Sequence, residues 1–203
     1  MIKLLGKMPR NISVAYSGGI DSAVVLDFLI RNHNVTLLHF NHGDADVSSS
    51  DSEEMAHKCC QQYNIKNYYF GKPSRIKYKN ESLEEYWRNM RYEWFDTLNQ
   101  DFIVLGHHLD DVIEWWIFSS MHGEGKIIPY QRSKNTFRPF LLNEKKEFLK
   151  WAENKQVNYV NDKSNDDISR TRNYIRKVMM PHCIVVNPGI AKVMKKKIVE
   201  FSL

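Results

Sequence analysis

The amino-acid sequence predicts an α/β fold, in which a parallel sheet of about five strands carries helices on both faces. Two observations lead to this prediction. Short apolar runs rich in β-branched and aromatic residues alternate with longer segments of helical periodicity, which is typical of βαβ units. The first of these runs also passes through a glycine-rich turn directly into a helix, and in parallel sheets such turns lie at the carboxyl ends of the strands.

The elements before residue 121 follow from hydrophobic patterning. Strands are predicted where short apolar runs are bounded by polar or turn-forming residues, at 12–16, 35–40, 68–70 and 102–106. Helices are predicted at 23–29, about 51–63, 82–98 and 109–120. Ser82 and Glu85 have the spacing of a capping box at the start of the third helix.

The chain after residue 142 is predicted to be helical. Asn143 precedes a helical stretch at 144–154 and is a candidate N-cap. The segment 172–180 is basic and amphipathic. We therefore expect a nucleotide-binding core over 1–142 and a helical extension over 143–203 that packs on the core and does not fold independently.

Composition and charge limit the class of protein. The 203 residues suffice for one domain with a sizeable core, and a net charge of +5 permits a polyanionic partner without requiring one. The three cysteines form no CxxC pair, so we expect a reducing, cytoplasmic setting and neither disulfides nor structural zinc. Since no apolar run approaches membrane-spanning length and the first residues do not form a signal peptide, we expect a soluble protein without a membrane partner.

The segment at 17–22, Ser-Gly-Gly-Ile-Asp-Ser, carries the strongest chemical signal. Glycines let backbone N–H groups approach phosphate oxygens, and a helix N-terminus adds unpaired donors and partial positive charge. No lysine follows the glycines, so the segment is not a Walker A loop. The alternative is a glycine turn that only joins a strand to a helix. We expect a nucleotide phosphate to bind here.

A second chemical segment begins with His107 and His108 and continues through Asp110, Asp111 and Glu114. On a helix, Asp110 or Asp111 comes close to Glu114 on one face. Carboxylates at a helix start also stabilise the helix dipole, so a purely structural role is the alternative for the two aspartates. Because the segment follows a buried strand directly, and because a site for ATP needs carboxylates to hold Mg²⁺, we expect it to belong to the site.

The order SGGxDS resembles the PP-loop of the ATP pyrophosphatases, which split ATP into AMP and pyrophosphate while adenylating a carbonyl-type oxygen. Together with HHLDDxxE, it is similar to the tRNA(Ile)-lysidine synthetases. Further matches to that family follow in chain order at 40–43, 84–92, 123–125, 138–141, 161–165 and 172–181. The resemblance covers about residues 11–181, which correspond to the catalytic domain only of that family.

The resemblance implies a Rossmann-like PP-loop fold and a ligase that uses ATP and Mg²⁺. In that family, ATP adenylates the C2 oxygen of the wobble cytidine of tRNA(Ile) with a CAU anticodon. The amine of L-lysine then attacks C2 and expels AMP, which forms lysidine. Two alternatives remain open: another PP-loop adenylating enzyme with a different RNA or small-molecule substrate, or a non-catalytic relative that binds nucleotide or tRNA.

The same resemblance assigns the candidate site residues. The ATP-binding residues are Ser17, Gly18, Gly19, Asp21, Ser22 and His42. The catalytic residues are Asp21, His107, Asp110, Asp111 and Glu114, and of these Asp110 and Asp111 are also candidate metal ligands. A general base is needed because an ammonium is not nucleophilic. The substrate-binding residues are Arg88, Arg91, Arg172, Asn173 and Arg176.

The chain departs from the family pattern in the helix that carries Glu114. Trp115 stands where the family usually has threonine, and Ser119 and His122 stand where arginine is common. Large aromatic side chains dominate protein cores, so Trp115, Trp116 and Phe118 are predicted to be core residues.

Overall fold

The computed structural model of the protein describes residues 2–43, 49–161 and 166–202. The chain divides into two units, each with its own packing. One consists of Met8–Leu105 with Val157–Val160, and we call it the sheet unit. The other consists of Met1–Lys7, Gly106–Gln156 and Asn161–Leu203, and we call it the helical unit.

Four parallel strands form the centre of the sheet unit. They are β1 (Asn11–Ala15), β2 (Asn34–Phe40), β3 (Tyr68–Gly71) and β4 (Ile103–Val104), in the order β3-β2-β1-β4. Val14 lies opposite Leu37 on one side and Val104 on the other, and all three side chains are fully buried. Strands buried on both faces need near-continuous apolar sequence, and the buried parts of β1 and β4 have it, whereas Tyr68 and Tyr69 of β3 are exposed. The predicted α/β class is confirmed, and a strand lies at each of the four places where the sequence predicts one.

Three helices belong to the sheet unit: α1 (Ile20–Leu29), α2 (Ser49–Gln62) and α3 (Leu83–Thr97). Phe95 of α3 packs with Leu38 of β2, and Tyr86 and Met90 pack with Phe40. The Ser82 hydroxyl accepts a hydrogen bond from the backbone N–H of Glu85 at 3.1 Å, so Ser82 is the N-cap, and this bond is the first half of the predicted capping box.

The helical unit contains a short antiparallel hairpin and a series of helices. In chain order, its elements are α4 (Leu109–Met121), β5 (Gln131–Ser133), β6 (Thr136–Phe137), α5 (Lys145–Lys155), α6 (Thr171–Tyr174), a π-helical turn (Ile175–Met179), α7 (Met180–Val186) and α8 (Ile190–Ser202). Val112 and Ile117 of α4 pack with Met194 and Ile198 of α8 in one hydrophobic cluster. The predicted C-terminal helices are therefore confirmed, whereas the hairpin was not predicted.

The prediction that Asn143 caps the following helix is wrong. The N-cap of α5 is Glu144. The buried Asn143 side chain instead accepts a hydrogen bond from the backbone N–H of Lys3 at 2.7 Å and donates to the Lys3 and Phe140 carbonyls. The amide therefore joins two backbone segments 140 residues apart, a role that local spacing cannot indicate.

The predicted division into 1–142 and 143–203 stays a prediction, because packing in a folded chain does not test whether either part folds alone. Within the described ranges, no helix combines the length and hydrophobicity needed to cross a membrane.

An ion pair holds the loop at 72–82, ahead of α3. The two Nη atoms of Arg75 donate to the two carboxylate oxygens of Glu81 at 2.9 and 3.0 Å. The guanidinium carbon also lies 4.0 Å from the centroid of the Tyr78 ring. The hydrogen bonds from Arg75 lower the pKa of Glu81 to about 2.

We expect this ion pair to make stability depend on pH in the acid range. Because the folded-state pKa of Glu81 is depressed, its contribution is complete above the ordinary value of 4.5 and is lost as pH falls through about 2. In Arg75→Gln, carboxyl-carbon NMR should show Glu81 titrating at a higher pH, although Asn89 and the backbone N–H of Tyr78 still donate to it. Lys58→Gln removes the partner of Glu54 in an exposed pair and is the matched control, in which Glu81 should titrate as in the unsubstituted protein. A Glu81 that still titrates near 2 without Arg75 would contradict the assignment.

Candidate functional site

The loop between β1 and α1 folds around the hydroxyl of Ser22. This hydroxyl donates to the Gly19 carbonyl at 2.9 Å and accepts from the backbone N–H of Ser17 at 3.1 Å. The Ser17 hydroxyl lies 3.1 Å from the same atom. The two serines thus hold the loop in one conformation, and exposed Ser17 lies at its mouth.

Gly18 occupies a backbone position that only glycine fits. Its φ is +82°, in the left-handed region. A Cβ built at this position would lie 3.1 Å from the Cα and the Cβ of Ser52. The Gly18 carbonyl accepts a hydrogen bond from the backbone N–H of Val160 at 2.9 Å. A distant segment of the sheet unit therefore supports the loop from outside the motif.

The first turn of α1 is suited to an anion. Its N-cap is Gly19, which has no side chain to accept hydrogen bonds from the N–H groups that follow. These donors, with the positive end of the helix dipole, form the kind of site that binds phosphate. Half-buried Asp21 lies in the same turn and adds the one carboxylate of the loop.

The other candidates in the sheet unit lie on or against α3. The His42 ring is 5.0 Å from the Trp87 ring, centroid to centroid. Arg88 is exposed, whereas Arg91 is half-buried, with its guanidinium 5.3 Å from the Tyr92 ring. The Nε atom of Arg91 is buried and has no hydrogen-bond partner among the described residues. Since buried donors are normally paired, this atom is consistent with the predicted substrate-binding role of Arg91, which stays a prediction.

The helical unit brings three candidates, Asp111, Arg172 and Arg176, together around a fourth, Glu114, which is 3% exposed. One carboxylate oxygen of Glu114 accepts from Arg176, with Nε at 2.8 Å and Nη2 at 2.6 Å. The other oxygen lies 3.7 Å from Nε of Arg172. Arg176 also donates to Asp111 at 3.3 Å. We call Asp111, Glu114, Arg172 and Arg176 the carboxylate–arginine cluster.

The π-helical turn places Arg176 in this cluster. Arg176 lies inside the single π-helical turn that joins α6 to α7. Such turns insert one extra residue per turn and are frequent at functional sites. The predicted basic helix at 172–180 is thus present but interrupted at the residue that contacts Glu114.

The two carboxylates of the cluster differ in pKa. Burial raises the pKa of Glu114 above its ordinary value, although Arg176 and Arg172 oppose this effect. Burial acts in the same direction on Asp111, but electrostatic interactions with His108, His107 and Arg176 outweigh it and lower the pKa of that carboxyl. Asp111 is therefore the stronger acid, and Glu114 is the better proton acceptor.

Two predicted site residues have structural contacts. One carboxylate oxygen of Asp110 accepts from the backbone N–H of Lys145 at 2.8 Å, so Asp110 binds the first residue of α5. The Asn173 amide donates to the Asp167 carbonyl at 2.9 Å. These contacts do not test the site roles predicted for Asp110 and Asn173, which stay predictions.

The carboxylate oxygens of Asp111 that could bind a metal ion already accept hydrogen bonds from protein groups. Asp111 accepts from the backbone N–H of His108 with one oxygen and from Arg176 with the other. Among the described residues, no group of three His, Cys, Asp or Glu side chains is arranged to hold a metal. Mg²⁺ is usually held by one or two carboxylates together with substrate phosphates, so Asp110 and Asp111 stay candidate ligands, and Asp21 is a further candidate beside the glycine loop.

Sequence reasoning missed the residues that support the site from a distance. Val160 and Ser52, which enclose Gly18, belong to no motif, and no local signal indicates them. His108 was noted only as one of two imidazoles, yet it is the N-cap of α4, and its Nδ1 atom lies 3.5 Å from Asp111. In the family-like segment 161–165, residues 162–165 lie outside the described residues.

The candidates form two sets. The sheet unit contains Ser17, Gly18, Gly19, Asp21, Ser22, His42, Arg88 and Arg91, and the helical unit contains His107, Asp110, Asp111, Glu114, Arg172, Asn173 and Arg176. The predicted convergence of the segments 17–22 and 107–111 on one crevice stays a prediction.

Comparison with known proteins identifies the family to which the chain belongs. A family model described as a PP-loop domain matches residues 2–183. The tRNA(Ile)-lysidine synthase of Francisella philomiragia is 29% identical over 96% of the chain and 51% of its own length. That of Legionella pneumophila strain Paris is 30% identical over 91% of the chain and 45% of its own length. The chain thus spans about half the length of the curated relatives it matches, and the predicted resemblance to this group is confirmed.

A solved structure shows the same fold. The NH3-dependent NAD synthetase of Campylobacter jejuni superposes with a TM-score of 0.52, covering 96% of this chain and 86% of that protein. The sequences are 15% identical, so this likeness supports the fold alone.

Proposed function

Because the chain belongs to the PP-loop domain family, we propose that it is an ATP-dependent tRNA-modifying ligase that joins lysine to tRNA(Ile), as the names of its curated relatives indicate. In this reaction, ATP adenylates the C2 oxygen of the wobble cytidine with release of pyrophosphate. The lysine amine then forms a bond to C2, the bond from C2 to the adenylated oxygen breaks, and AMP leaves. The observation that carries the proposal is the match over 2–183, together with a loop at 17–22 whose geometry suits a phosphate.

The loop performs the first step by positioning. Backbone N–H groups of Gly19 and of the first turn of α1 are suited to hold the phosphates while the oxygen of the nucleoside attacks. Little covalent work is required of the protein, so orientation and charge stabilisation supply the rate. Mg²⁺ bound with the phosphates would supply positive charge, and Asp21 of the loop, Asp110 and Asp111 are the candidates to hold it.

The carboxylate–arginine cluster suits the second step. The lysine ammonium must lose a proton before it attacks, and Glu114, with its raised pKa, is the candidate base. Asp111 stays ionised and is the candidate partner of the ammonium. Arg176 binds both carboxylates, so it fixes their orientation.

Two alternative proposals retain binding of ATP but differ in the second substrate or in whether a reaction occurs. A different RNA or small molecule would replace tRNA(Ile), or the protein would bind nucleotide without turnover. Because the chain spans only about half of its curated relatives, the substrates are part of the proposal. We also propose a cytoplasmic location, because the three cysteines are free thiols.

A labelling experiment tests the proposal. The protein is incubated with ATP, Mg²⁺, radiolabelled lysine and a tRNA(Ile) transcript with a CAU anticodon. We expect label in the tRNA and one AMP for each lysine joined. Asp21→Ala should abolish AMP formation while the circular dichroism spectrum stays unchanged. AMP formation without labelled tRNA would favour another acceptor or amine, and the absence of both AMP and ATP binding would overturn the proposal.

A further inference from the structure

The buried side chain of His39 contacts the entrance to the loop at 17–22, although the proposed reaction assigns it no role. His39 is the last residue but one of β2 and is 1% exposed. Its Nδ1 atom lies 3.0 Å from the carbonyl oxygen of Tyr16, the residue between β1 and Ser17. Because a carbonyl oxygen can only accept, Nδ1 carries the proton and donates. The ring is thus bonded to the backbone directly ahead of the loop.

Packing alone does not explain a histidine at this position. The Nε2 atom of His39 is buried and has no hydrogen-bond partner among the described residues. Within those residues, the bond to Tyr16 is therefore the one hydrogen bond of the ring. Burial also lowers the pKa of His39 below its ordinary value, so the ring is neutral at neutral pH. Burying a half-paired polar ring costs free energy that an apolar side chain would not cost, so the bond to Tyr16 is what the histidine contributes.

Other contacts fix the positions of the two residues. The backbone N–H of Tyr16 donates to the Leu38 carbonyl at 2.8 Å, and the Tyr16 hydroxyl lies 3.1 Å from Sγ of buried Cys59 in α2. The His39 ring packs against Phe70 of β3, with ring centroids 5.5 Å apart. Neighbouring elements therefore hold Tyr16 in place, and His39 sets the direction of its carbonyl.

The peptide group between Tyr16 and Ser17 is held at both of its polar atoms. Its carbonyl accepts from His39, and its N–H, which is that of Ser17, donates to the Ser22 hydroxyl at 3.1 Å. Because a peptide group is planar, the direction of the carbonyl fixes the direction of the N–H. The Ser22 hydroxyl in turn donates to the Gly19 carbonyl at 2.9 Å. We call these three bonds the loop hydrogen bonds.

The loop hydrogen bonds end at the donors suited to phosphate. The peptide group of the Gly19 carbonyl also carries the N–H of Ile20, the first residue of α1. The first N–H groups of a helix have no partner within the helix and are the groups that bind phosphate. Hydrogen bonds in series polarise one another, so each bond strengthens and orients the next. His39 is therefore linked to the phosphate-binding end of the loop.

We propose that His39 is a positioning residue for ATP, which holds the loop at 17–22 in its phosphate-binding conformation through the loop hydrogen bonds. The inference rests on the proposed function, because it takes ATP as the ligand of this loop. His39 touches no reacting atom in this role and acts only through the peptide group of Tyr16 and Ser17 and through Ser22.

A matched pair of substitutions isolates the hydrogen bond of His39. Asparagine and leucine have similar sizes and both lack the ring, but only asparagine has an N–H donor at the place of Nδ1. The dissociation constant for ATP is measured by equilibrium dialysis. His39→Leu should weaken ATP binding about tenfold, which corresponds to the net contribution of one hydrogen bond, whereas His39→Asn should stay within about twofold of the unsubstituted protein.

His33→Leu is the control for loss of an equivalent bond. The Nδ1 atom of His33 lies 2.8 Å from the Pro9 carbonyl oxygen, so it joins the segments that precede β2 and β1 at the opposite end of these strands. This variant should bind ATP like the unsubstituted protein. Thermal unfolding of every variant is measured, and ATP binding is compared at a temperature at which all of them are folded.

Amide NMR on the unliganded protein tests the loop hydrogen bonds without ATP. The backbone N–H resonances of Ser17 and Ile20 should shift in His39→Leu and stay close to their original positions in His39→Asn. Since both variants lack the imidazole, the loss of its ring current affects them equally. A difference between the two variants therefore reports the hydrogen bond.

The outcomes separate this inference from the proposed function. Equal ATP affinities of His39→Leu and His39→Asn, whether retained or lost, would overturn the inference, and so would amide resonances of Ser17 and Ile20 that coincide in the two variants. Failure of the unsubstituted protein to bind ATP would count against the proposed function, and the amide resonances would still decide whether His39 orients the loop.

Discussion

Replacement of Arg176 by methionine is expected to abolish ATP-dependent joining of lysine to tRNA and to destabilise the protein by about 2 kcal/mol. Arg176 binds Glu114 through two nitrogen atoms and Asp111 through one of them. Without it, Glu114 is a buried carboxylate whose remaining ion-pair partner among the described residues is Arg172, at 3.7 Å. Loss of one partner of a fully buried pair costs roughly 3–5 kcal/mol. The expected cost is smaller because the Arg176 side chain is 42% exposed.

A double-mutant cycle separates the two roles of Arg176. Urea unfolding is measured for Arg176→Met, Glu114→Gln and the double variant. If the arginine mainly compensates the buried charge, the double variant should be more stable than Arg176→Met alone. Joining activity should remain absent in all three, because the candidate base or its orientation is lost. Strictly additive effects on stability would show that the two side chains do not interact as described.

Replacement of Gly18 by alanine is expected to reduce ATP-dependent AMP formation more than a hundredfold. A residue other than glycine at a φ of +82° costs about 1–3 kcal/mol of strain. The added Cβ would lie 3.1 Å from the Cα of Ser52, and a backbone atom cannot move aside as a flexible side chain can. The loop would relieve both costs by shifting, and its N–H groups would no longer point at the phosphates. AMP release and the KM for ATP report this loss.

Gly6→Ala is the matched control for Gly18→Ala. Gly6 has a similar φ of +75°, and a Cβ there would meet the Tyr130 hydroxyl at 2.6 Å. Gly6 lies outside the candidate site, so we expect a comparable loss of thermal stability with AMP formation retained. A Gly18→Ala protein that forms AMP at the unsubstituted rate would remove the loop from the proposed function.

Local patterning predicted the parts of the fold that depend on burial of single segments. Much of β1, β2 and β4 is buried, so the sequence of these strands is a short apolar run that differs from its surroundings. The strand β3 is more exposed and was indicated by its aromatic residues. The hairpin of β5 and β6 escaped prediction because its strands have three and two residues and a polar composition, with no alternating pattern to detect.

The candidate site was predictable in residue type but not in geometry. Motif spacing indicated that Glu114 and Arg176 both belong to a site, but their contact joins residues 62 positions apart in the chain. The hydrogen bond from the backbone N–H of Val160 to the Gly18 carbonyl likewise joins residues that are distant in the chain. Such pairs form only when distant segments pack, and nothing in the neighbourhood of either residue encodes the partner.

By itself, the sequence determined the α/β class, the order of the central strands and helices along the chain, and the glycine loop, because each follows from local hydrophobic periodicity or from backbone chemistry within a few residues. The tertiary structure alone decided that Asn143 holds the segment at Lys3, that Arg176 contacts Glu114, and that Trp115 stacks on Phe118. These outcomes depend on which distant surfaces meet when the chain buries its apolar area. That choice is a property of the whole fold and of no single segment.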